Sequence, residues 1–290
     1  WHYVLRDHHL RRNPHLLSPD PKRQVVTPVN PRVYTAKSPQ KRFHSFEQSG
    51  RFTSACSGMV YRDELLFPRS GESHAFTCEP FHNVVQHNIV RRKGPTFEAR
   101  RDPAESKIDF LASRDRWFRP VMVRTGPDGA LWVVDMYRYM IEHPQWLPKN
   151  GQDELRPHYR QGEKQGRIYR VFPAASGPRA WPRPRDSSPA KLVSYLEHPN
   201  GWVRDMAQQL LVQRDDGKVV DGLRRLVRES RVALGRLHSL CTLDGLGQLD
   251  AATLGIALKD PRPGVRRHAV RLSGAFDPAL LVGMKDSEPE

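Results

Sequence analysis

The chain has 290 residues, 38% of them hydrophobic and 27% charged, with 25 Pro and a formal net charge of +15; that is length for two ordinary domains but too polar a composition for one large globule. No apolar run approaches the roughly 20 residues of a bilayer-spanning helix. The three cysteines show no C-x-x-C spacing, which excludes zinc ribbons, thioredoxin-like redox chemistry and c-type haem attachment within this chain. The positive charge invites a nucleic-acid reading, but 36 of the 47 basic residues are Arg scattered among Pro and acidic residues, and residues 1–100 hold 16 basic against 8 acidic groups while residues 201–290 hold 14 against 12. The excess lies in a loop-rich third rather than along one helix, which argues against a nucleic-acid interface.

Residues 1–50 are dense in Pro, Arg and His, and Pro at this frequency excludes central strands and long helices. They are expected to form an irregular insertion over a folded surface, with Val25-Val26 and Val33-Tyr34 as anchors. Residues 51–172 then carry short strand-like pieces: Phe52 to Tyr61, Ala75 to Cys78, Asn83 to Val90, Pro120 to Arg124, Ala130 to Asp135 and Gly166 to Val171. Between the fourth and fifth lies Gly126-Pro127-Asp128-Gly129, a turn in which Pro and Gly supply the required dihedrals. Short strands at this spacing indicate a sandwich, barrel or propeller.

Residues 173–188, rich in Pro, Ser and Arg, are expected to be a linker, and from 189 to 290 the apolar period changes from two to about 3.6. Leu192, Leu196, Val203, Leu210, Leu223, Leu234, Leu237 and Leu240 form the stripes of paired helices. Trp202-Val203-Arg204 recurs as Gly264-Val265-Arg266 and Ala207 as Ala269, a shift of 62 whose half takes Ala207 to His238. Two helices per unit of about 31 residues point to a HEAT-like array. The chain opens at Trp1 without a leader and stops at Glu290 without a polar capping helix, so it is expected to be a fragment.

Chemistry-bearing residues cluster at the strand ends. Glu79, His82 and Asn83 follow one strand, and a carboxylate beside an imidazole can serve as an acid–base pair or merely fasten a loop. Arg119 precedes a strand, while Tyr137, Arg138 and His143 follow another, and each is open to the same two readings. Asp135 ends a strand and is either a structural acceptor or a substrate or calcium contact. Cys56 and Cys78 lie on neighbouring strand-like pieces separated by 21 residues with a loop between them. They are read either as a disulfide, which would stabilise by about 3 kcal/mol and belong to an oxidising compartment, or as two separate thiols.

Four blocks carry a resemblance. Trp117-Phe118-Arg119-Pro120 through Ala130-Leu131-Trp132-Val133-Val134-Asp135-Met136-Tyr137-Arg138, Ser54-Ala55-Cys56-Ser57-Gly58-Met59-Val60-Tyr61-Arg62, Phe76-Thr77-Cys78-Glu79-Pro80-Phe81-His82-Asn83 and Gly166-Arg167-Ile168-Tyr169-Arg170-Val171 resemble the membrane-bound dehydrogenase group of planctomycetes and verrucomicrobia. That group is also described as haem-binding CxxCH proteins. The resemblance spans about residues 1–175. It implies a multidomain β + α chain: the closing blades of a propeller of the quinoprotein sugar dehydrogenase type, then HEAT-like helices, then a C-terminal cytochrome domain. It further implies an extracytoplasmic oxidoreductase acting on a sugar or polyol-like substrate. From their places at the strand ends, Glu79, His82, Arg119 and His143 are the candidates for catalysis, and Asn83, Asp135, Tyr137 and Arg138 those for substrate contact. Haem c would sit outside this chain, calcium or a quinone are the remaining cofactor options, and a protein partner would dock on the helices. The rival expectation is a non-catalytic scaffold that binds a glycan or a protein.

Overall fold

The computed structural model describes residues 2–4, 22–28, 31–37, 50–67, 71–94, 96–141, 143, 145 and 148–275. They form antiparallel sheets and several α-helices, divided into two compact units. The first comprises Trp1–Tyr61, Leu65–Arg124 and Ala130–Ser176; the second comprises Arg62–Glu64, Thr125–Gly129 and Gly177–Glu290. The main boundary thus falls within the expected linker, while two short excursions from the strand-rich stretch belong to the helical unit.

In the β unit, β1 (His2–Val4) pairs with β2 (Lys22–Gln24) as a small two-stranded sheet, regular structure in a segment expected to have none. The main sheet runs β3 (Cys56–Val60), β4 (Ser73–Glu79), β5 (Val84–Lys93), β6 (Thr96–Arg100), with β7 (Leu111–Ala112) also against β5. A further sheet has the order β10 (Arg167–Val171), β9 (Leu131–Asp135), β8 (Pro120–Thr125), so β9 is its central strand. Alternation drives this placement: Leu131, Val133 and Asp135 are buried, while Trp132 and Val134 are only partly so. The core joins both sheets through Tyr61, Phe76, Cys78, Val85, Phe118, Val123, Leu131 and Val133. Val25 and Val26 pack on Ala99, and the Ala99 amide donates to the Val25 carbonyl at 2.6 Å, so this anchor of the first segment holds. Among the described residues the sheets close neither a barrel nor a propeller. A short helix, α1 (Lys149–Leu155), lies between β9 and β10 in the strand-rich stretch.

The helical unit contains α2 (Pro189–Tyr195), α3 (Gly201–Arg214), α4 (Val220–Glu229), α5 (Ala233–Gly245), α6 (Ala251–Leu258) and α7 (Pro263–Leu272). Side chains set the starts. Ser188 with Pro189, Asn200 and Asp250 cap α2, α3 and α6, accepting from the amides of Lys191, Val203 and Thr253. Helices pack in the pairs α2–α3, α4–α5 and α6–α7, and also in two series, α2–α4–α6 and α3–α5–α7. Leu192, Leu196, Val203, Leu223 and Leu240 are buried as expected, Leu210 and Leu237 are partly buried against the core, and Leu234 is exposed.

The repeat has a sharper signature than its apolar stripe. Arg204 donates to the His198 carbonyl at 2.5 Å, Arg236 to Ser230 at 2.8 Å and Arg266 to Asp260 at 2.8 Å, each reaching six residues back to the turn before its helix. This register sets Ala207 against Ser239 and Ala269, all fully buried. Halving the shift of 62 therefore misplaced the middle unit by one residue, because its two spacings, 204 to 236 and 236 to 266, are unequal.

Candidate functional site

Seven of the eight site residues expected from sequence meet at one end of the two large sheets of the β unit. The end of β4, the start of β8 and the end of β9 lie there, because hairpin pairing returns each chain to the same edge.

Arg119 is the hub. Its guanidinium donates to four carbonyls: Arg138 at 3.0 Å, Pro80 at 3.0 Å, Phe81 at 3.2 Å and Tyr139 at 2.6 Å. Only a planar fork with five donors can tie two loops in this way. The Arg119 amide donates to Asp135 at 2.7 Å, and the same carboxylate oxygen accepts from the Tyr137 amide at 2.8 Å. The other oxygen of Asp135 accepts from Arg167 at 2.6 Å, and Arg167 also reaches Asp115 at 2.9 Å. The cation beside Asp135 is therefore a guanidinium, which neutralises the carboxylate that calcium would need. Among the described residues no group of three or more His, Cys, Asp or Glu is placed to hold a metal.

Arg138 repeats the device, donating to the carbonyls of Met136, Tyr137, Gly162, Glu163 and Gln165. Gly162 has φ +88°, and a side chain there would strike the Tyr137 carbonyl, so the close approach requires glycine. Tyr137 stacks on Trp117 at 5.3 Å, with the Arg167 guanidinium 4.2 Å from its ring centre. Burial raises the Asp115 carboxyl, but the Trp117 amide and Arg167 outweigh it and hold the group below the usual carboxylate range.

Asn83 adopts a left-handed conformation, φ 60°, which Asn tolerates well, and its side-chain amide donates to the Phe118 and Arg116 carbonyls. Glu79 is fully buried and accepts from the Thr53 and Ser54 amides at 3.0 and 2.9 Å. His82 lies beside it, with Nδ1 3.6 Å from the carboxylate, and its side chain is 1% exposed. Neither ring nitrogen of His82 has a hydrogen-bond partner among the described residues. In a cluster whose other charged groups are bonded to main chain, this imidazole has binding capacity to spare. His143 stays outside: it is exposed, and its Nδ1 accepts from the Gln145 amide.

A second cluster lies in the main sheet. His74 and His87, cross-strand neighbours on β4 and β5, join Nδ1 to Nε2 at 2.9 Å, and His87 Nδ1 meets Glu105 at 3.0 Å. Phe67 stacks on His74 at 3.8 Å and on His87 at 5.0 Å. Burial, then His87, lowers the His74 pKa. This chain leaves no local trace in the sequence because its members are 13 and 18 positions apart; the available signal is one His on each of two adjacent strands, Ser73–Glu79 and Val84–Lys93, set diagonally across the pair.

Residues 1–175 match the model of a family described as a domain of unknown function, DUF7133. The chain belongs to this family. The matched stretch of the DUF7133 chain contains every residue of both clusters, and helices α2 to α7 lie beyond it. No curated protein and no solved structure matches the chain.

Proposed function

We propose that this chain is the closing part of a quinoprotein-sugar-dehydrogenase-type propeller followed by HEAT-like repeats, from an extracytoplasmic, haem-linked dehydrogenase of sugars or polyol-like molecules. The observation that carries the reading is the gathering of Glu79, His82, Asn83, Arg119, Asp135, Tyr137 and Arg138 at one end of the two large sheets, with the buried His82 imidazole 3.6 Å from Glu79 and neither of its nitrogens hydrogen-bonded among the described residues. His82 is the group that would accept a proton from a substrate hydroxyl, with Glu79 beside it to balance the charge gained. The arginine at a fixed register in α3, α5 and α7 supports the HEAT-like reading of the helices, whose outer faces would dock a protein partner.

The cofactors divide by fit. Cys56, Cys78 and Cys241 belong to no CxxCH motif, so these residues do not hold an attached haem, which is assigned to a domain outside this chain. Calcium does not fit Asp135, whose partner is Arg167. A quinone would need cationic donors to grip it, and Arg119 and Arg138 are committed to carbonyls.

That same commitment favours a second reading, a rigid non-catalytic scaffold that binds a glycan. One experiment separates the two: dye-linked oxidation of a panel of sugars and polyols by the full-length protein, with glycan binding measured in parallel. The dehydrogenase reading expects dye reduction that is lost in His82→Gln without a change in melting temperature. Binding without turnover selects the scaffold, and neither activity rejects both.

A further inference from the structure

Cys56 on β3 and Cys78 on β4 are direct cross-strand partners in the antiparallel register. Partners of this kind have Cα atoms about 4.5–5.5 Å apart, inside the window of about 4.4–6.8 Å that a disulfide spans. Both are thiols; Cys78 donates a hydrogen bond to Cys56, whose own thiol faces the Val121 carbonyl at 3.6 Å. Their environments differ. Cys78 is fully buried, whereas Cys56 is partly exposed beside a bulge in which Ser57 takes φ 52°.

We propose that Cys56 and Cys78 are a reversible thiol–disulfide pair, with Cys56 the attacking and Cys78 the resolving thiol, whose closure secures the turn that holds Glu79. The oxidant is a disulfide of the exchange class. The Cys56 thiolate attacks it, one sulfur leaves as thiolate, and Cys56 carries a mixed disulfide. Cys78 then loses its proton to solvent and its sulfur attacks Cys56 Sγ, expelling the second thiol. Two protein thiols and one small disulfide become one protein disulfide and two small thiols, so atoms and electrons balance. The order follows from access. It is reinforced by the hydrogen bond from Cys78, which lowers the Cys56 pKa, while donating that bond and then burial push Cys78 up.

The link to Glu79 is geometric. Glu79 directly follows Cys78, and the amides it holds, Thr53 and Ser54, lie three and two residues before Cys56. A bridge therefore closes a short ring around that turn, fixing both the carboxylate and its donors. The inference stands on register and burial and does not use the dehydrogenase reading.

The test incubates the full, folded chain in buffers of graded oxidised-to-reduced glutathione, blocks remaining thiols with an alkylating agent and maps peptides by mass. The expected result is a Cys56–Cys78 linked peptide with Cys241 alone alkylated, reversed at reducing ratios. Cys78→Ser should trap glutathione on Cys56, and Cys56→Ser should leave Cys78 unmodified. Hydrogen exchange at Thr53 and Ser54 should slow on closure. Three alkylated cysteines at every ratio, or glutathione carried first by Cys78, would overturn the pair; unchanged exchange with a bridge formed would overturn its link to Glu79. Cys56→Ala, with its circular dichroism compared to the parent, separates a lost thiol from a lost fold.

Discussion

Arg119 in the β unit and Arg204 in the helical unit are both nearly inaccessible to solvent, at 7% and 3%, and both donate to main-chain carbonyls. Their settings differ. The four carbonyls of Arg119 come from two loops about 40 and 20 positions away, and its own amide is held by Asp135. Arg204 reaches only the turn just before its own helix, and burial, then Arg62, lowers its pKa to about 10, leaving it charged at neutral pH. The helical unit buries a continuous apolar core, and one arginine per repeat serves the turn before its own helix. The β unit buries Glu79, His82, Gln86, His87, Asn88, Arg119 and Asp135 among its strands and depends on a few long-range hubs. Stability in the first should be spread over many similar contacts, and in the second concentrated at a few.

Replacing the hub should therefore have the largest effect. Arg119→Met leaves several buried carbonyls without donors, each worth about 1–3 kcal/mol, so we expect a loss of about 4 kcal/mol or more in denaturant unfolding. In the helical unit Leu240→Ala opens a cavity in the core and should cost about 2–5 kcal/mol. The partly buried Leu237 should cost less than Leu240 in the same assay; the reverse order would place the apolar stripe where the sequence first suggested it.

The comparison also has a pH arm. Burial, with Arg204 next, holds the His238 imidazole at about 4, while its Nδ1 lies 2.7 Å from the Gln208 side-chain oxygen. The unfolded ring titrates near 6.5, so folding favours the neutral form. That contribution is complete above about pH 6.5 and is lost as pH falls through about 4, amounting to about 3 kcal/mol. Unfolding midpoints measured from pH 7.5 to 4 should fall in the parent and flatten in His238→Gln. The smallest effect is at a helix start: Asp250→Ala removes the cap on the Thr253 amide and should cost about 1 kcal/mol.

Legibility followed the same division. The strand at 131–135 was visible because its burial alternates, the middle of 73–79 because Ala75, Phe76 and Cys78 are apolar and buried, and α2 and α3 because of their apolar stripes. β6 escaped because its inward residues are Thr96 and Ala99 while Phe97 faces solvent, so the apolar pattern points the wrong way. The short α1, KNGQDEL, has no apolar period to detect. In the middle repeat Ser230 stands where the third has Asp260, which hid the register that Arg236 reveals. The site residues were recognisable singly, since strand-end Glu, His, Asn and Arg are conspicuous. Their assignment to carbonyls and amides was not, because a hydrogen bond between residues 39 positions apart leaves no local trace.

Hydrogen exchange on the parent and Arg119→Met tests most directly whether one arginine organises the polar end of the β unit. The account predicts that protection falls together at 81–83, 119 and 135–139, positions distant in sequence, while α3 to α7 exchange as before. Loss confined to the residues adjoining 119, or spread evenly over both units, would contradict it.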